Sequence, residues 1–124
     1  MGIHPERRLD VPMLDDLLNG HCYEYPKGSP GLNHADIAER IPLVPNWELV
    51  DDGKAIRFSR RLANFVTAID LVNQVAALAE EQQHHPDIRI HGYRNLVLDF
   101  STHSIGGLTD NDFIMAAKIN RLLQ

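Results

Sequence analysis

The sequence predicts an α+β fold in which an antiparallel sheet carries helices on one face. Two pairs of short segments have the alternating pattern and the turn residues of β-hairpins, and a long amphipathic helix separates the pairs. A shorter helical segment stands at each end, so the predicted order is α-β-β-α-β-β-α. The length of 124 residues suits a single domain.

The first helix of this order is predicted over Ala35–Ile41. Asn33 is a suitable N-cap, and Asp36 lies three residues after it, which is the spacing of a capping box. Pro42 and Pro45 end the helix, because proline cannot donate the backbone hydrogen bond that a helix interior needs.

Two hairpins account for the predicted sheet. Trp47–Val50 and Ala55–Ser59 are joined by the turn sequence Asp-Asp-Gly. Ile88–His91 and Asn95–Phe100 are joined by a turn that contains glycine. In the last strand, leucine and phenylalanine alternate with other residues, which indicates a strand with one buried face.

Leu62–Gln83 is the clearest helix in the sequence, and Pro86 ends the helical region. Its apolar residues form two stripes that together span an arc of roughly 240°. A helix that packs only on its own sheet needs an apolar arc of about 100°. We therefore expect it to contact a further helix, preferably from a second subunit, with the end helices of the same chain as the alternative. The stripes are Leu62, Phe65, Val66, Ile69, Val72, Ala76 and Ala79, and Ala68, Leu71, Val75 and Leu78.

The last helix is predicted to begin near Asp110. Thr109 and Asp112 have the spacing of a capping box, and the residues that follow give the helix a mostly apolar stripe.

Residues 1–31 are interpreted as an N-terminal extension, and residues 32–124 as the domain. The extension is rich in proline and glycine, and it allows one helical turn at Met13–Leu18 before Asn19-Gly20 stops it. We expect a tail that packs on the surface or is partly disordered and whose deletion leaves the site intact.

Composition narrows the class of protein. The net charge is −5 and the basic residues are scattered, which argues against direct nucleic-acid binding. A single cysteine, Cys22, excludes an internal disulfide framework and fits a reducing compartment. The sequence holds no apolar run long enough to cross a membrane and no apolar signal core at its start. We expect a cytoplasmic protein without a membrane partner.

The candidate chemistry is in the histidines, of which the chain has seven. His84 and His85 precede Pro86 at the exit of the long helix, and His103 follows the last strand. Imidazole can accept or donate a proton near neutral pH, which favours metal-free acid–base catalysis. Structural histidines and a metal site are the alternatives. Metal is disfavoured because ligands on a helix usually stand four residues apart, whereas adjacent side chains diverge.

The spacing of these residues resembles the signature of the pterin-4a-carbinolamine dehydratases, whose mammalian member is also the dimerisation cofactor of a homeodomain transcription factor. The resemblance covers roughly residues 32–124, and the first 31 residues have no counterpart that we can place. The segment from Pro86 to Tyr93 is one residue longer than in the mammalian form, with Gly92 as the extra residue. The matching pattern is Glu80-x3-His84-His85-Pro86-x6-Tyr93-x9-His103-x8-Asp112.

The resemblance implies a four-stranded antiparallel sheet with three helices packed on one face. It also implies a homodimer or homotetramer built through the helix at 62–83. The expected substrate is 4a-hydroxytetrahydrobiopterin or a bacterial relative, formed when an aromatic amino-acid hydroxylase turns over. The products are the quinonoid dihydropterin and water, and neither a metal nor a cofactor is implied.

Roles for the site residues follow from the resemblance. His84 and His103 are expected to carry the two proton transfers, and His85 to bind and orient the pterin. Glu80 is expected to fix a ring tautomer of His84. Asp112 could do the same or could only cap its helix, and Tyr93 could support the pocket or pack in the hairpin. Substrate-binding residues are expected to be His84, His85, Pro86, Ser101, Thr102, His103 and Ser104.

Two other functions stay open at this point. One is a non-enzymatic dimerisation module that stabilises a transcription factor, as the mammalian relative also does. The other is an enzyme of the same fold that acts on a different pterin, such as a molybdopterin-related compound.

Overall fold

The computed structural model of the chain describes residues 8–124. These residues form four helices and four strands, with short 3₁₀ turns at Ile41–Leu43 and Asp51–Gly53. The helices are α1 (Leu14–Leu18), α2 (His34–Arg40), α3 (Phe65–Gln82) and α4 (Asp110–Leu122), and the strands are β1 (Trp47–Val50), β2 (Ala55–Arg61), β3 (Asp87–His91) and β4 (Asn95–Phe100).

The strands form one antiparallel sheet in the order β1-β2-β4-β3. Phe58 of β2 lies opposite Trp47 on one side and Leu98 on the other. The two predicted hairpins are therefore joined by the pairing of β2 with β4, which brings residues 56–61 against residues 95–100. The predicted α+β class and the four-stranded antiparallel sheet are confirmed.

The core lies between one face of the sheet and the helices. Ile56, Phe58, Leu98 and Phe100 point to this face and are fully buried. Every residue of α4 from Asp110 to Ile119 is also buried, although its sequence predicts only one apolar stripe. This helix is covered on more than one side, because the N-terminal segment lies on it as well.

The helix ends follow local sequence signals. The Asn33 side chain accepts the Asp36 amide at 2.9 Å, and the Asp36 carboxylate accepts the Asn33 amide, so the predicted capping box at α2 is confirmed. Helix α3 starts three residues later than predicted, because the Leu62 amide donates to the Arg94 carbonyl instead and Asn64 caps the helix.

Residues 8–31 differ from the expected surface tail. Leu17 of α1 is fully buried in the main core, and α1 packs on α4. The Asp110 carboxylate accepts the Leu9 amide at 2.7 Å, and Lys118 Nζ donates to the Leu18 carbonyl at 2.8 Å. Buried polar side chains must find hydrogen-bond partners, and here the backbone of the extension supplies them.

The two apolar stripes of α3 lie in different surroundings. Leu71 and Val75 are buried in the core, so the second stripe faces the rest of the same chain. In the first stripe, Phe65 and Val66 are 50% and 66% exposed. We call the set Phe65, Val66, Ile69 and Ala76 the outer apolar face of α3. None of the helices within residues 8–124 is long and apolar enough to cross a membrane.

Candidate active site

The end of α3 determines how the two adjacent histidines are oriented. Gln83 adopts a left-handed conformation with φ 53°, and the His84 amide donates to the Ala79 carbonyl at 3.2 Å. This left-handed residue turns the chain sharply out of the helix. As a result, the His84 side chain is 11% exposed, whereas that of His85 is 54% exposed.

His84 is held by a carboxylate and by an aromatic ring. Its Nε2 donates to Asp112 Oδ1 at 2.7 Å. The imidazole stacks on the Phe100 ring, with a centroid distance of 5.6 Å and an interplanar angle of 16°. The hydrogen bond places the proton on Nε2 in the neutral ring, so Nδ1 keeps its lone pair. An imidazole with this tautomer can act as a base through Nδ1.

Asp112 combines the two roles that the sequence left as alternatives. While Oδ1 faces His84, Oδ2 accepts the Thr109 amide and the Thr102 hydroxyl, each at 2.9 Å. The Thr102 hydroxyl proton is thus committed to Asp112, so the Thr109 hydroxyl donates to Thr102 Oγ1 at 2.8 Å. The capping carboxylate of α4 is therefore also the partner that orients His84.

Glu80 contacts a different histidine from the one expected. Glu80 Oε2 accepts a hydrogen bond from His85 Nε2 at 2.6 Å, while His84 is bonded to Asp112. The expectation assumed helical geometry through residue 84, but the helix ends at Gln82 and the left-handed Gln83 redirects the chain. The assignment of Glu80 to His84 is corrected: Glu80 orients His85.

His103 stands in a tight loop after β4. The Thr102 amide donates to the Gly107 carbonyl at 2.9 Å, which closes the loop. Gly106 has φ 74°, a conformation that side chains rarely adopt, so glycine is required there. His103 is exposed and lines the same cavity as His84 and His85.

The cavity that these histidines share has a volume of about 550 Å³, and we call it the site cavity. It brings together all the expected substrate-binding residues: His84, His85, Pro86, Ser101, Thr102, His103 and Ser104. A second cavity of about 580 Å³ shares His85, Asp87, Ser101 and His103 with it, so His85 and His103 stand between the two spaces.

One wall of the site cavity was missed by the sequence interpretation. It consists of residues 22–25 of the extension, together with Gln82 and Asn111. Their residue types and spacing form no recognisable motif. The sequence gives no clear signal for this wall, because the burial of Asn111 and Lys118 on α4 is visible only in the fold.

Tyr93 lies away from this cavity. It is 61% exposed in the turn between β3 and β4, and the Arg94 guanidinium stands 5.7 Å from the centre of its ring. Within residues 8–124 it lines neither of the two cavities next to the histidines. The expected supporting role is corrected to the alternative, packing within the hairpin.

Cys22 is in the wall of the site cavity but has the properties of a structural thiol. Burial raises the pKa of the Cys22 thiol to about 12, and the negative charge of Asp112 adds to this effect while Lys118 opposes it. The thiol lies 3.7 Å from the Asn111 carbonyl, to which it donates. A protonated thiol is a poor nucleophile, so covalent chemistry at Cys22 is disfavoured.

Metal ligands are not grouped in the described part of the chain. Among residues 8–124, no three histidine, cysteine or carboxylate side chains lie close enough together to hold a metal ion.

Comparisons with known proteins point to one family. A family model described as pterin 4 alpha carbinolamine dehydratase matches residues 30–122. A Xanthomonas campestris protein provisionally named pterin-4-alpha-carbinolamine dehydratase is 41% identical over 109 residues, covering 88% of this chain and 92% of its own length. A Xylella fastidiosa protein with the same name is 41% identical over 111 residues, covering 90% and 95%.

A solved structure is similar as well. The crystal structure of a transcriptional coactivator/pterin dehydratase from Brucella melitensis has a TM-score of 0.71 and 30% sequence identity. It covers 77% of this chain and 100% of its own.

The length of the alignments corrects the expectation that the first 31 residues have no counterpart. Residues 32–124 comprise 93 residues, whereas the match with the Xanthomonas campestris protein extends over 109. The alignment must therefore include at least part of the extension.

Proposed function

We propose that this chain, which belongs to the pterin 4 alpha carbinolamine dehydratase family, dehydrates 4a-hydroxytetrahydrobiopterin or a closely related tetrahydropterin. The proposed mechanism is acid–base catalysis by histidine. The observation that carries the proposal is the meeting of His84, His85 and His103 on one cavity, with Asp112 bonded to His84. The family and its relatives are named for a hydro-lyase, and this chain is an enzyme of that class.

The reaction needs two proton transfers. The bond between C4a and its hydroxyl oxygen breaks, and N5 loses its proton as the double bond between C4a and N5 forms. Hydroxide is a poor leaving group, so an acid must protonate the hydroxyl and release it as water. A base must accept the proton of N5. Both tasks suit imidazole side chains at neutral pH.

We assign the base to His84 and the acid to His103. Because Asp112 holds the proton of neutral His84 on Nε2, Nδ1 is available to accept the proton of N5. His103 is exposed, so solvent can restore the proton that it donates to the leaving hydroxyl. Asp112 also stabilises the imidazolium that forms on His84 during the reaction, as carboxylates do for catalytic histidines elsewhere.

His85 is assigned to binding. It stands between the two cavities, and Glu80 holds its Nε2. From this position its ring can orient the pterin between the base and the acid. Ser101, Thr102 and Ser104 line the same cavity, and the hydroxyl lone pairs of Ser101 and Ser104 suit the hydrogen-bonding edge of the pterin.

The physiological setting follows from the substrate. The 4a-carbinolamine arises when an aromatic amino-acid hydroxylase uses its tetrahydropterin, so the enzyme is proposed to act in the recycling of that cofactor in the cytoplasm. A different pterin is the alternative substrate, because recognition of the ring would use the same groups.

A separate observation favours self-association as a second function. The outer apolar face of α3 is exposed, and exposed apolar patches often mark protein interfaces. We propose that this face builds a homodimer or homotetramer. The Brucella melitensis protein is described as a transcriptional coactivator as well as a dehydratase. A coactivator role here would use such a helix surface and not the histidines.

A dehydration assay tests the proposed activity. The 4a-carbinolamine is generated freshly by a hydroxylase in the presence of EDTA, and its decay is compared with and without the protein. We expect strong acceleration that persists in EDTA. A rate equal to the spontaneous rate would contradict the proposal and favour the non-enzymatic dimerisation module. Stoichiometric bound zinc, with activity lost on its removal, would contradict the metal-free mechanism.

A further inference from the structure

Residues 22–25, which we call the wall segment, lie against the proposed catalytic groups. All four of them line the site cavity together with His84, His85 and His103. Tyr23 is half-buried and Tyr25 is buried. Their rings meet edge to face, with centroids 5.0 Å apart and an interplanar angle of 87°, so the ring of Tyr25 packs against that of Tyr23.

The backbone of the wall segment is held by buried amide side chains. Asn111 Oδ1 accepts the Tyr23 amide at 2.9 Å, and Asn111 Nδ2 donates to the Tyr23 carbonyl at 2.6 Å. Gln82 Oε1 accepts the Cys22 amide at 2.8 Å. At the far end, Ser104 Oγ donates to the Tyr25 carbonyl at 3.0 Å. Three side chains thus form hydrogen bonds with the backbone of the wall segment.

The side chains that hold the wall are neighbours of the proposed catalytic groups. Asn111 precedes Asp112 in α4, and Gln82 stands two residues before His84 at the end of α3. The same two helix ends therefore orient His84 and fix Tyr23. An arrangement of this kind fixes the distance between the wall and the base.

We propose, on the basis of the dehydratase function proposed above, that Tyr23 is a substrate-binding residue and that Asn111 and Gln82 are its positioning residues. The pyrimidine part of a pterin is flat and conjugated, and an aromatic side chain beside it provides a matching surface. The wall segment then decides how tightly the pterin is bound, while His84 and His103 carry the chemistry. The extension belongs to the active site.

The first test compares Tyr23→Leu with Tyr23→Phe. Loss of the aromatic ring should raise KM by roughly tenfold, which is the upper range of what an aromatic pair contributes, with kcat changed by less than about twofold. Tyr23→Phe keeps the ring and should keep KM. Tyr93→Leu, an exposed tyrosine in the hairpin, is the matched control and should leave both constants unchanged.

The positioning residues are tested by a conservative rescue. Gln82→Ala removes the acceptor of the Cys22 amide and should raise KM, whereas Gln82→Glu keeps an oxygen acceptor there and should restore it. Thermal melting of each variant separates a change of binding from a loss of fold. If Gln82→Ala does not fold, the Tyr23 pair still decides the question.

A binding measurement separates this inference from the proposed function. Fluorescence titration with 7,8-dihydrobiopterin, a stable analogue, does not depend on turnover. Weaker binding by folded Tyr23→Leu, with parent-like binding by Tyr23→Phe, is expected. Equal affinity in all three proteins would overturn the role of Tyr23 even if the parent is active. The parent could instead be inactive while Tyr23→Leu alone binds the analogue more weakly. That result would refute the proposed reaction and support the role of Tyr23 in pterin binding.

Discussion

His84 and Asp112 are 28 residues apart in the sequence, and a hydrogen bond of 2.7 Å joins them in the fold. The carboxylate is fully buried, and its other oxygen is occupied by the start of its own helix. It therefore cannot turn away from the imidazole without losing the cap of α4. The capping geometry of a helix in this way fixes the tautomer of a proposed catalytic base.

Replacing Asp112 with Asn should test this link. The amide can retain the Thr109 amide hydrogen bond through its oxygen and then turns its NH₂ group toward His84. That arrangement favours the wrong histidine tautomer, so kcat should fall by about 10²-fold or more. Stopped-flow dehydration checks the rate, and Asp70→Asn, on the exposed side of α3, is the control. A parent-like kcat in a folded Asp112→Asn protein would refute the orienting role.

His84→Ala and His103→Ala should each slow dehydration by about 10²–10⁴-fold, the usual contribution of general acid–base catalysis. The two losses need not add, because both groups act on one transition state. His34→Ala and His91→Ala remove exposed histidines outside the site cavity and should keep the parent rate. If the folded His84 and His103 variants dehydrate the substrate at the parent rate, the histidine mechanism is wrong.

Leu17→Ala should lower the free energy of unfolding by about 2–5 kcal/mol, as for other fully buried leucines. Leu14→Ala, on the same short helix but 44% exposed, should have a much smaller effect. Urea denaturation measures both. Equal small effects would show that α1 contributes little to the stability of the fold.

Val66→Glu should weaken self-association, because it introduces a charge into the outer apolar face of α3. Leu71 and Val75 do not serve this test, since both are buried in the core and a charge there would unfold the chain. Gln74→Glu adds the same charge to an exposed position of the same helix outside that face. Sedimentation velocity compares the three proteins. A monomeric parent, or assembly unchanged by Val66→Glu, would contradict the proposed interface.

Cys22 should make the fold sensitive to alkali. Its pKa is raised to about 12 in the folded state from an ordinary value of 9.0, so the unfolded chain loses the thiol proton first. The stabilising contribution is complete below the unfolded pKa and is lost as pH rises from about 9 toward 12. Stability of the parent should therefore fall more than that of Cys22→Ser between about pH 8 and about pH 10.5. If the denaturant midpoints of the parent and of Cys22→Ser fall by the same amount over this pH range, Cys22 does not cause the sensitivity to alkali.

The parts of the fold that the sequence predicted are those with local signals. The cap at Asn33, the capping box at Thr109 and the hairpin strands depend on residues a few positions apart. The pairing of β2 with β4 joins two separate hairpins and follows from family resemblance, not from a local pattern.

The site was predicted less completely than the fold. The three histidines share one cavity, but the partner of Glu80 was misjudged because a single left-handed residue, Gln83, changes the direction of the chain. The wall segment was missed because its attachment to Asn111 spans 88 residues and has no periodic signature. Contacts of this kind depend on the completed tertiary structure.

Long-range hydrogen bonds attach the N-terminal segment, residues 8–31, to α4. Leu9 binds Asp110 across 101 residues, Leu18 binds Lys118 across 100, and Tyr23 binds Asn111 across 88. During synthesis the segment leaves the ribosome well before the helix that holds it. The segment must therefore wait without these partners until α4 has been made, and a chain that stalls or terminates before α4 cannot assemble this side of the pocket.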